Sequence, residues 1–306
     1  MTAVVWRERA VAARLGPNRL HLQHGPIDLL VDVEGPAPSV EAALTAARRR
    51  FDGLLEGLCA VLPVLRRPIP PGFDAAGLPE TAQRMIEAVR PYHPIFVTPM
   101  AAVAGAVADT ILAAMRRVPG LGRAIVNNRG DIALSCPHGR TIRTGVVTDL
   151  ARPVPTLVIE TGPEIGGIAT SGREGRSFSL GIADAVTVLA DDGATADAAA
   201  TLVANAVDLD HPAVERRPAA SLDPDSDLGG LPVVTRLGPL GRAEVAAALD
   251  AGAAFARSLV AIGRIRGAVL ALRGQLRIVG EVGRLAHGAP ARHRHHRPQP
   301  GEESPG

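Results

Sequence analysis

Residues 123–136, RAIVNNRGDIALSC, consist of two mostly apolar runs on either side of a short polar segment. The runs 123–127 and 131–136 are rich in Ile, Val, Leu and Ala, which predicts two strands. The Asn-Arg-Gly segment between them is typical of a tight turn, because Asn and Gly tolerate the backbone angles that such turns require. The chain is therefore expected to reverse here between two extended segments.

Further strands and helices are predicted on both sides of these two strands. Strands are predicted at 4–15, 19–24, 27–33, 141–148, 156–160, 185–190 and 267–279, the last as a hairpin turning near Gly274, and helices at 39–59, 79–89, 98–117, 194–207 and 242–262. The Gly-rich segment 162–175 and the region 216–234 are predicted as loops. Strands at both ends with long helices between them favour an α+β fold with a mainly antiparallel sheet.

Length and composition indicate one large domain. The chain has 306 residues, of which 46% are hydrophobic and 21% charged, so it has ample material for a core. We expect a single domain over residues 1–287. Residues 288–306, rich in His, Arg and Pro, lack apolar periodicity and are predicted to be a disordered tail.

Several functional classes are excluded or disfavoured by composition. The chain has no lysine, which excludes Schiff-base chemistry and a lysine-containing phosphate loop. Aromatic residues make up 2%, and net charge is only +2, so we expect no nucleic-acid partner. Pro99, Gly105 and Asp109 interrupt the most apolar stretch, 94–115, which favours a buried helix over a membrane span. With no export signal at the N-terminus, a cytoplasmic location is expected.

Two polar segments can bind a ligand. Asn127, Asn128, Gly130 and Asp131 can hydrogen-bond a heterocycle or a ribose, although a tight turn alone also explains them. Further on, the Gly-rich segment 166–176 can cradle a phosphate. The residues of that segment that would contact the anion are Thr170, Ser171, Gly172 and Arg173. The alternative is an ordinary Gly-rich loop.

A third segment, 191–201, carries carboxylate and hydroxyl groups at helical spacing. Asp197, Thr201 and Asn205 recur every four residues, so their oxygens lie on one helix face, and the intervening alanines leave room for a ligand. Such hard oxygen donors suit Mg²⁺ shared with a substrate phosphate. The alternative is an Asp stabilised by the helix dipole beside a solvated Thr.

Taken in order, these segments resemble the ApbE-like superfamily, the FAD:protein FMN transferases and their relatives. The resemblance rests on Arg129-Gly130-Asp131-Ile132, Ala169-Thr170-Ser171-Gly172, Ala196-Asp197-Ala198-Ala199-Ala200-Thr201 and the segment 104–109, and it spans roughly 99–207. It implies an ApbE-like, tunnel-fold-like α+β domain. It also implies that FAD or FMN is bound with Mg²⁺ held by Asp197 and Thr201.

The chain departs from the family pattern at two places. Ala104 and Ala106 stand where the family has Lys and Tyr, and no His-containing H-I-[IL]-D-P segment follows the TSG motif. Asp184 and, more remotely, His211 are then the candidate general bases. The resemblance implies a flavin- and Mg²⁺-binding protein, either a transferase with weak or lost chemistry acting on an acceptor protein, or a non-enzymatic accessory protein, with sulfur assimilation as one setting. The oligomeric state is left open.

Overall fold

The computed structural model describes residues 9–137, 141–145, 156–160, 165–175 and 177–286. The predicted disordered tail, the start of the strand predicted from Val4 and the end of the strand predicted to Thr148 lie outside the described residues. All statements below concern the described ranges.

Fourteen strands and seven α-helices are present in the described ranges. The strands are β1 (Val11–Gly16), β2 (Arg19–His24), β3 (Ile27–Glu34), β4 (Arg123–Asn128), β5 (Asp131–Ser135), β6 (Thr141–Gly145), β7 (Thr156–Glu160), β8 (Gly167–Ser171), β9 (Ala185–Ala190), β10 (Val214–Pro218), β11 (Pro232–Leu237), β12 (Gly267–Leu272), β13 (Gln275–Gly280) and β14 (Arg284–Ala286). The helices are α1 (Ala37–Phe51), α2 (Leu54–Ala60), α3 (Leu62–Leu65), α4 (Glu80–Val89), α5 (Val103–Arg116), α6 (Gly193–Ala206) and α7 (Arg242–Ala261).

Nine of the strands form one sheet in the order β1-β2-β3-β4-β5-β8-β9-β12-β13. Each neighbouring pair in this sheet is antiparallel, and β4 and β5 are joined by the predicted tight turn, with Asn128 opposite Asp131. Two smaller sheets, β10-β11 and β14-β7-β6, are antiparallel as well. The α+β fold with a mainly antiparallel sheet is confirmed.

The main core lies between the large sheet and the helices. On β3 the residues Ile27, Leu29, Val31 and Val33 are buried and alternate with less buried ones, as expected for a strand with one face on a core. All six residues of β9 are buried, because a second apolar cluster covers the opposite face of the central strands. That cluster consists of Ile132, Leu134, Ile168, Leu189, Val269 and Val282.

Three predicted elements differ in the structure. The helix predicted over 39–59 is two helices, α1 and α2, because Gly53 adopts a left-handed conformation with φ of 75° between them. The region predicted as a loop at 216–234 contains most of the hairpin β10–β11. Val214 and Val233 are the buried residues of these two strands, so their sequences lack a clear alternation of apolar and polar residues.

The third difference is β8, which lies inside the Gly-rich segment predicted as a loop. Its glycines serve close packing: a Cβ on Gly167 would lie 2.1 Å from the backbone of Asp192, and one on Gly166 would lie 2.0 Å from the Asp191 carbonyl oxygen. Glycine here reflects the approach of another backbone, which is a known reason for glycine within a strand.

The stretch Pro99–Arg116 is the one described helical segment long and apolar enough to cross a membrane by composition, and 61% of it is buried inside the protein. It begins with a 3₁₀ turn over Pro99–Ala102 and continues as α5. Helix α5 packs against β4, β5, α1, α4 and α6. The predicted buried helix is thus confirmed as a core element.

Candidate functional site

Helices α5 and α6 cross at two glycines, and this crossing positions the polar residues around it. A Cβ on Gly105 would lie 2.1 Å from the carbonyl oxygen of Gly193, so no other residue fits at Gly105 without displacing α6. Gly105 is in the first turn of α5 and Gly193 is the first residue of α6. The crossing therefore joins the beginnings of the two helices.

Each of the two helices supplies an aspartate to the first turn of the other. The Asp109 carboxylate accepts hydrogen bonds from the backbone N–H groups of Gly193 and Ala194, at 2.9 and 2.8 Å. In return, the Gly105 N–H donates to Oδ2 of Asp197, at 3.0 Å. The first N–H groups of a helix have no partner within the helix, and a negative charge is favoured there. Asp109 and Asp197 thus fix the mutual position of α5 and α6.

Asp131 lies next to Asp197 and connects the sheet to this crossing. It directly follows the β4–β5 turn, and its Oδ1 accepts a hydrogen bond from the backbone N–H of Thr170 on β8, at 3.3 Å. Burial raises the pKa of Asp131 to about 7. Burial, and after it the negative charge of Asp131, also raises the pKa of Asp197 well above its usual range. Two partly buried carboxyl groups therefore repel each other in this region.

The hydroxyl groups of Thr170 and Thr187 lie on the other face of the sheet. Their Oγ1 atoms, on neighbouring strands, are 2.8 Å apart. Both residues alternate with the helix-facing residues of their strands and share a face with Ile168 and Leu189 of the second apolar cluster, so the hydroxyls point away from α6.

Thr201 supplies a hydroxyl on the helix. It follows Asp197 by one helical turn on the same face of α6, and it is half-buried. We call Asp131, Asp197 and Thr201 the carboxylate site, to which Thr170 contributes its backbone N–H. The side-chain ligands that this site offers are all hard oxygens.

The two asparagines predicted to contact a cofactor make structural contacts. Oδ1 of Asn127 accepts the N–H of Gly130 at 2.7 Å, which stabilises the turn, where Arg129 has φ of 57° and Gly130 has φ of 116°. Nδ2 of the buried Asn128 donates to the carbonyl oxygen of Ala104, at 3.1 Å. The turn interpretation therefore accounts for Asn127, and Asn128 ties β4 to the start of α5. A ligand contact by either side chain stays a prediction.

At the far end of β8 the predicted phosphate ligands are engaged within the protein. Nε and Nη2 of Arg173 both donate to Oδ1 of Asp184, at 3.0 and 2.6 Å, so its charge is neutralised. Gly172 has φ of 148°, and a Cβ there would lie 2.5 Å from the Asp184 carbonyl oxygen. Ser171 is half-buried on β8. Of the predicted cradle, Thr170 is the residue that the structure brings to the carboxylate site.

The two predicted general bases lie at the other end of α6. The N–H of Ile182 donates to the carbonyl oxygen of Val207, directly after this helix, which places Asp184 near the same end. His211 follows it in the loop before β10. Asp197 is about 14 Å from the end of α6 along the helix axis, at ~1.5 Å per residue. The length of α6 therefore separates Asp184 and His211 from Asp197, and a catalytic role for either residue stays a prediction.

The model of the family described as AbpE bacteria matches residues 9–278, which is most of the chain. The chain belongs to this family. The membership confirms the ApbE-like resemblance that the motifs indicated. The matched region reaches beyond the central third of the chain, to both ends of the large sheet.

Relatives of this AbpE family member include two archaeal proteins. A UPF0280 protein of Methanosarcina acetivorans is 33% identical over 202 residues, covering 65% of this chain and 76% of the relative. A UPF0280 protein of Methanopyrus kandleri is 38% identical over 163 residues, covering 52% of this chain and 64% of the relative.

Two solved structures of flavin transferases are also similar to this AbpE family member. The apo form of the flavinyl transferase ApbE of Pseudomonas stutzeri gives a TM-score of 0.45 at 13% identity, over 90% of this chain and 96% of that one. The flavin transferase ApbE of Vibrio cholerae gives a TM-score of 0.35 at 16% identity, over 80% of this chain and 75% of that one. The family assignment therefore rests on the sequence match and not on these superpositions.

Sequence reasoning missed the structural role of one residue at the site of this AbpE family member. Asp109 was noted as an interruption of an apolar stretch and as the end of the motif segment 104–109, but its hydrogen bonds to the start of α6 were not predicted. A buried carboxylate in an apolar helix is itself a signal, since such a group needs hydrogen-bond donors.

Metal binding at the carboxylate site would use few protein ligands. Among the described residues, no group of three or more His, Cys, Asp or Glu side chains is arranged to hold a metal ion. Two carboxylates and the Thr201 hydroxyl suit Mg²⁺, which is usually bound by one or two carboxylates together with water and substrate phosphates. The site does not suit zinc, which favours nitrogen and sulfur ligands.

Proposed function

We propose that this protein binds a flavin nucleotide, FAD or FMN, together with Mg²⁺ at the carboxylate site, and that its FMN-transfer chemistry is weak or lost. The observation that carries the proposal is the pair of partly buried carboxyl groups, Asp131 and Asp197, in a family whose motifs are related to flavin transfer. Their negative charges repel each other, so the site is suited to a cation that neutralises both.

The residues of the site fit Mg²⁺. The carboxylates of Asp131 and Asp197 and the hydroxyl of Thr201 would hold the ion, and the phosphates of the nucleotide would complete its ligands. When bound, Mg²⁺ would neutralise negative charge on the pyrophosphate. The high pKa values of both carboxyl groups imply that metal binding displaces protons, so affinity for the ion should rise with pH.

The protein itself would hold this site rigid. The N–H of Gly105 fixes Oδ2 of Asp197, and the N–H of Thr170 fixes Oδ1 of Asp131. The N–H of Ala104 also donates to Asp197, so the start of α5 orients this carboxylate through two backbone donors.

Transfer chemistry is proposed to be weak because the candidate bases are engaged elsewhere. Oδ1 of Asp184 accepts from Arg173, and its Oδ2 accepts from the backbone N–H of Arg273. Nδ1 of His211 accepts from the N–H of Ala213, and its Nε2 contacts Glu244 at 3.0 Å. Loss of a general base typically lowers a rate by about 10²- to 10⁴-fold.

The same observation favours the second candidate function, a non-enzymatic flavin-binding or accessory protein. A protein of this kind needs the carboxylate site and the nucleotide but no base. In both cases we propose a cytoplasmic location, and Cys59 and Cys136, which form no disulfide with each other, are in keeping with a reducing compartment.

The first test is flavin binding with and without Mg²⁺. We expect Mg²⁺ to increase FAD affinity in a titration followed by flavin fluorescence. Asp197→Asn should reduce the Mg²⁺-dependent affinity at least tenfold, about 1.4 kcal/mol. The matched control is Asp250→Asn on α7, an exposed carboxylate paired with Arg277, which should leave the affinity unchanged. Unchanged affinity in folded D197N would contradict the metal site.

The second test separates the two candidate functions. AMP release from FAD in the presence of Mg²⁺ should be marginal under conditions where FAD binding is saturated. Rapid release, with flavin attached to a Ser/Thr-containing acceptor peptide, would contradict weak transfer chemistry. In that event Asp184→Asn and His211→Ala, measured in the same assay, would show which residue acts as the base.

A further inference from the structure

A second cavity lies outside the carboxylate site, between α4, the start of α6 and the residues after α7. Its volume is about 390 Å³, within the range of roughly 300–1,000 Å³ typical of small-molecule sites. Its lining includes Arg84, Asp109, Asp192, Thr195 and Arg264, whereas Asp131 and Asp197 do not line it. Charged groups of both signs therefore face one cavity.

Arg264 is a cation of this cavity without a carboxylate partner in the part of the chain that the structure describes. Its Nη2 donates to the main-chain carbonyl oxygens of Ala88, at 3.1 Å, and Glu87, at 3.4 Å, at the end of α4. Its guanidinium also lies 5.9 Å from the centre of the Tyr92 ring. Its Nε is buried and has no hydrogen-bond partner among these residues. The side chain is held in place by neutral groups, so its positive charge is not compensated.

Asp192 is the corresponding anion. Its Oδ1 accepts the N–H of Thr195 as the N-cap of α6, at 2.7 Å, and no described Arg or His side chain forms an ion pair with it. The neighbouring Asp109 is also negative when ionised. Burial, and after it the charge of Asp192, raises the pKa of Asp109 to about 7. Two carboxylates therefore repel each other on this side of the cavity, and a cation placed beside them would relieve the repulsion.

Tyr92 interacts with Arg264 but does not line the cavity. Its side chain is only 4% exposed, and Arg264 is its hydrogen-bonding and electrostatic partner. A buried group at the cavity without a partner among the described residues is therefore Nε of Arg264. Buried polar groups are normally hydrogen-bonded, and an exception in a native protein calls for an explanation such as a bound ligand.

We propose that this cavity binds a small zwitterion with one carboxylate and one ammonium group, the chemistry of a free α-amino acid. The ligand carboxylate would lie against Arg264, and its ammonium group against Asp192 and Asp109. Arg264 and Asp192 line the same cavity without forming an ion pair with each other. A ligand carrying both charges satisfies both side chains at once, whereas a simple anion or a simple amine satisfies one. This inference goes beyond the proposed flavin function and does not depend on it.

The ligand class is tested on the full-length protein with the twenty free L-amino acids as probes. Each is first tested by thermal shift, and the one with the largest effect is then titrated calorimetrically. We expect at least one to raise the melting temperature and to bind. Its methyl ester, which lacks the carboxylate, and its N-acetyl derivative, which lacks the ammonium group, should each bind at least tenfold more weakly. If no amino acid binds, or if either derivative binds as well as the parent, the proposal is overturned.

The location is tested with charge-removing variants. Asp192→Asn should weaken binding of the same amino acid at least tenfold, while Asn still caps α6. The matched control is Asp191→Asn, because Asp191 is exposed, precedes Asp192 and is paired with Arg266. This control variant should bind the amino acid with wild-type affinity. Arg264→Gln should also weaken binding tenfold, in contrast to Arg236→Gln at an exposed ion pair. Wild-type affinity in folded D192N would refute the assignment.

Discussion

At the scale of single residues, three aspartates with little solvent exposure have unusual titration properties. Asp109, Asp131 and Asp197 all have raised pKa values, and in each case burial is the largest cause. A carboxyl group that is harder to ionise in the folded state than in the unfolded state makes folding less favourable as pH rises. Such residues cost stability at neutral pH, which is typical of groups kept for binding.

The pH dependence of stability follows from Asp131. Its folded pKa of about 7 lies above the unfolded value of 3.8, so its contribution to stability is fully present below about pH 4 and is lost as pH rises through about 7. Asp131→Asn keeps an oxygen acceptor for the N–H of Thr170 and removes the charge. Without Mg²⁺, this variant should be more stable than wild type at pH 8, by about 2 kcal/mol, since each pKa unit corresponds to ~1.4 kcal/mol and Asp197 shares the titration.

Urea denaturation at pH 4 and pH 8 measures this difference. At pH 4 the two proteins should have similar free energies of unfolding, because the wild-type carboxyl group is then mostly neutral. A D131N protein that is equally stable or less stable than wild type at pH 8 would show that ionisation of Asp131 does not lower the free energy of unfolding.

At the scale of elements, the crossing of α5 and α6 is the feature on which both sites depend. It places Asp197 toward the sheet and Asp109 toward the second cavity, and it relies on the absence of a side chain at Gly105. Each helix stabilises the start of the other, so movement of either one would change both sites.

Gly105→Ala tests the crossing. In an ordinary helix interior this substitution is favourable by about 1 kcal/mol. Here the added Cβ would lie 2.1 Å from the Gly193 carbonyl oxygen, a rigid backbone atom, so we expect destabilisation of about 2 kcal/mol or more. The control is Gly57→Ala in α2, where the nearest atom would be Cγ of Pro79 at 3.7 Å and the melting temperature should stay or rise. Equal behaviour of the two variants in thermal unfolding would argue against a tight crossing.

At the scale of the whole molecule, one sheet joins the two ends of the chain. Its edge strands β1 and β13 come from opposite ends of the described sequence, and the family match covers the same span. The pairing of β3 with β4 brings together residues about a hundred positions apart, such as Leu30 and Asn127. We therefore propose that residues 1–287 form a single domain.

The corresponding prediction concerns residues 288–306. Their composition gives them no means of burying enough apolar surface to offset the entropy lost on ordering. A chain ending at residue 287 should melt within about 2 °C of the full chain in calorimetry, a change of under ~1 kcal/mol at this size. The matched comparison is a chain ending at residue 272, which lacks β13 and should be strongly destabilised. A large loss on removing only 288–306 would mean that these residues pack on the domain.

The amino-acid sequence by itself determined the fold class, most helix and strand positions and the family, because these depend on local periodicity and on short motifs. The turn between β4 and β5 was predictable because Asn, Arg and Gly suit its backbone angles. The strand β8 was not, since the glycines that suggested a loop are required by the approach of Asp191 and Asp192, which are distant from β8 in the sequence.

Only the tertiary structure decided which polar residues act together. Spacing along α6 predicted that Asp197 and Thr201 share one helix face, but it could not show that the charge of Asp131 acts on Asp197, or that Asp184 and His211 lie near the other end of the helix. Nor could it show that Asp109 caps α6. The physical reason is that hydrogen bonds, burial and repulsion between charges depend on distances in space, which are set when the sheet and the two crossing helices pack together.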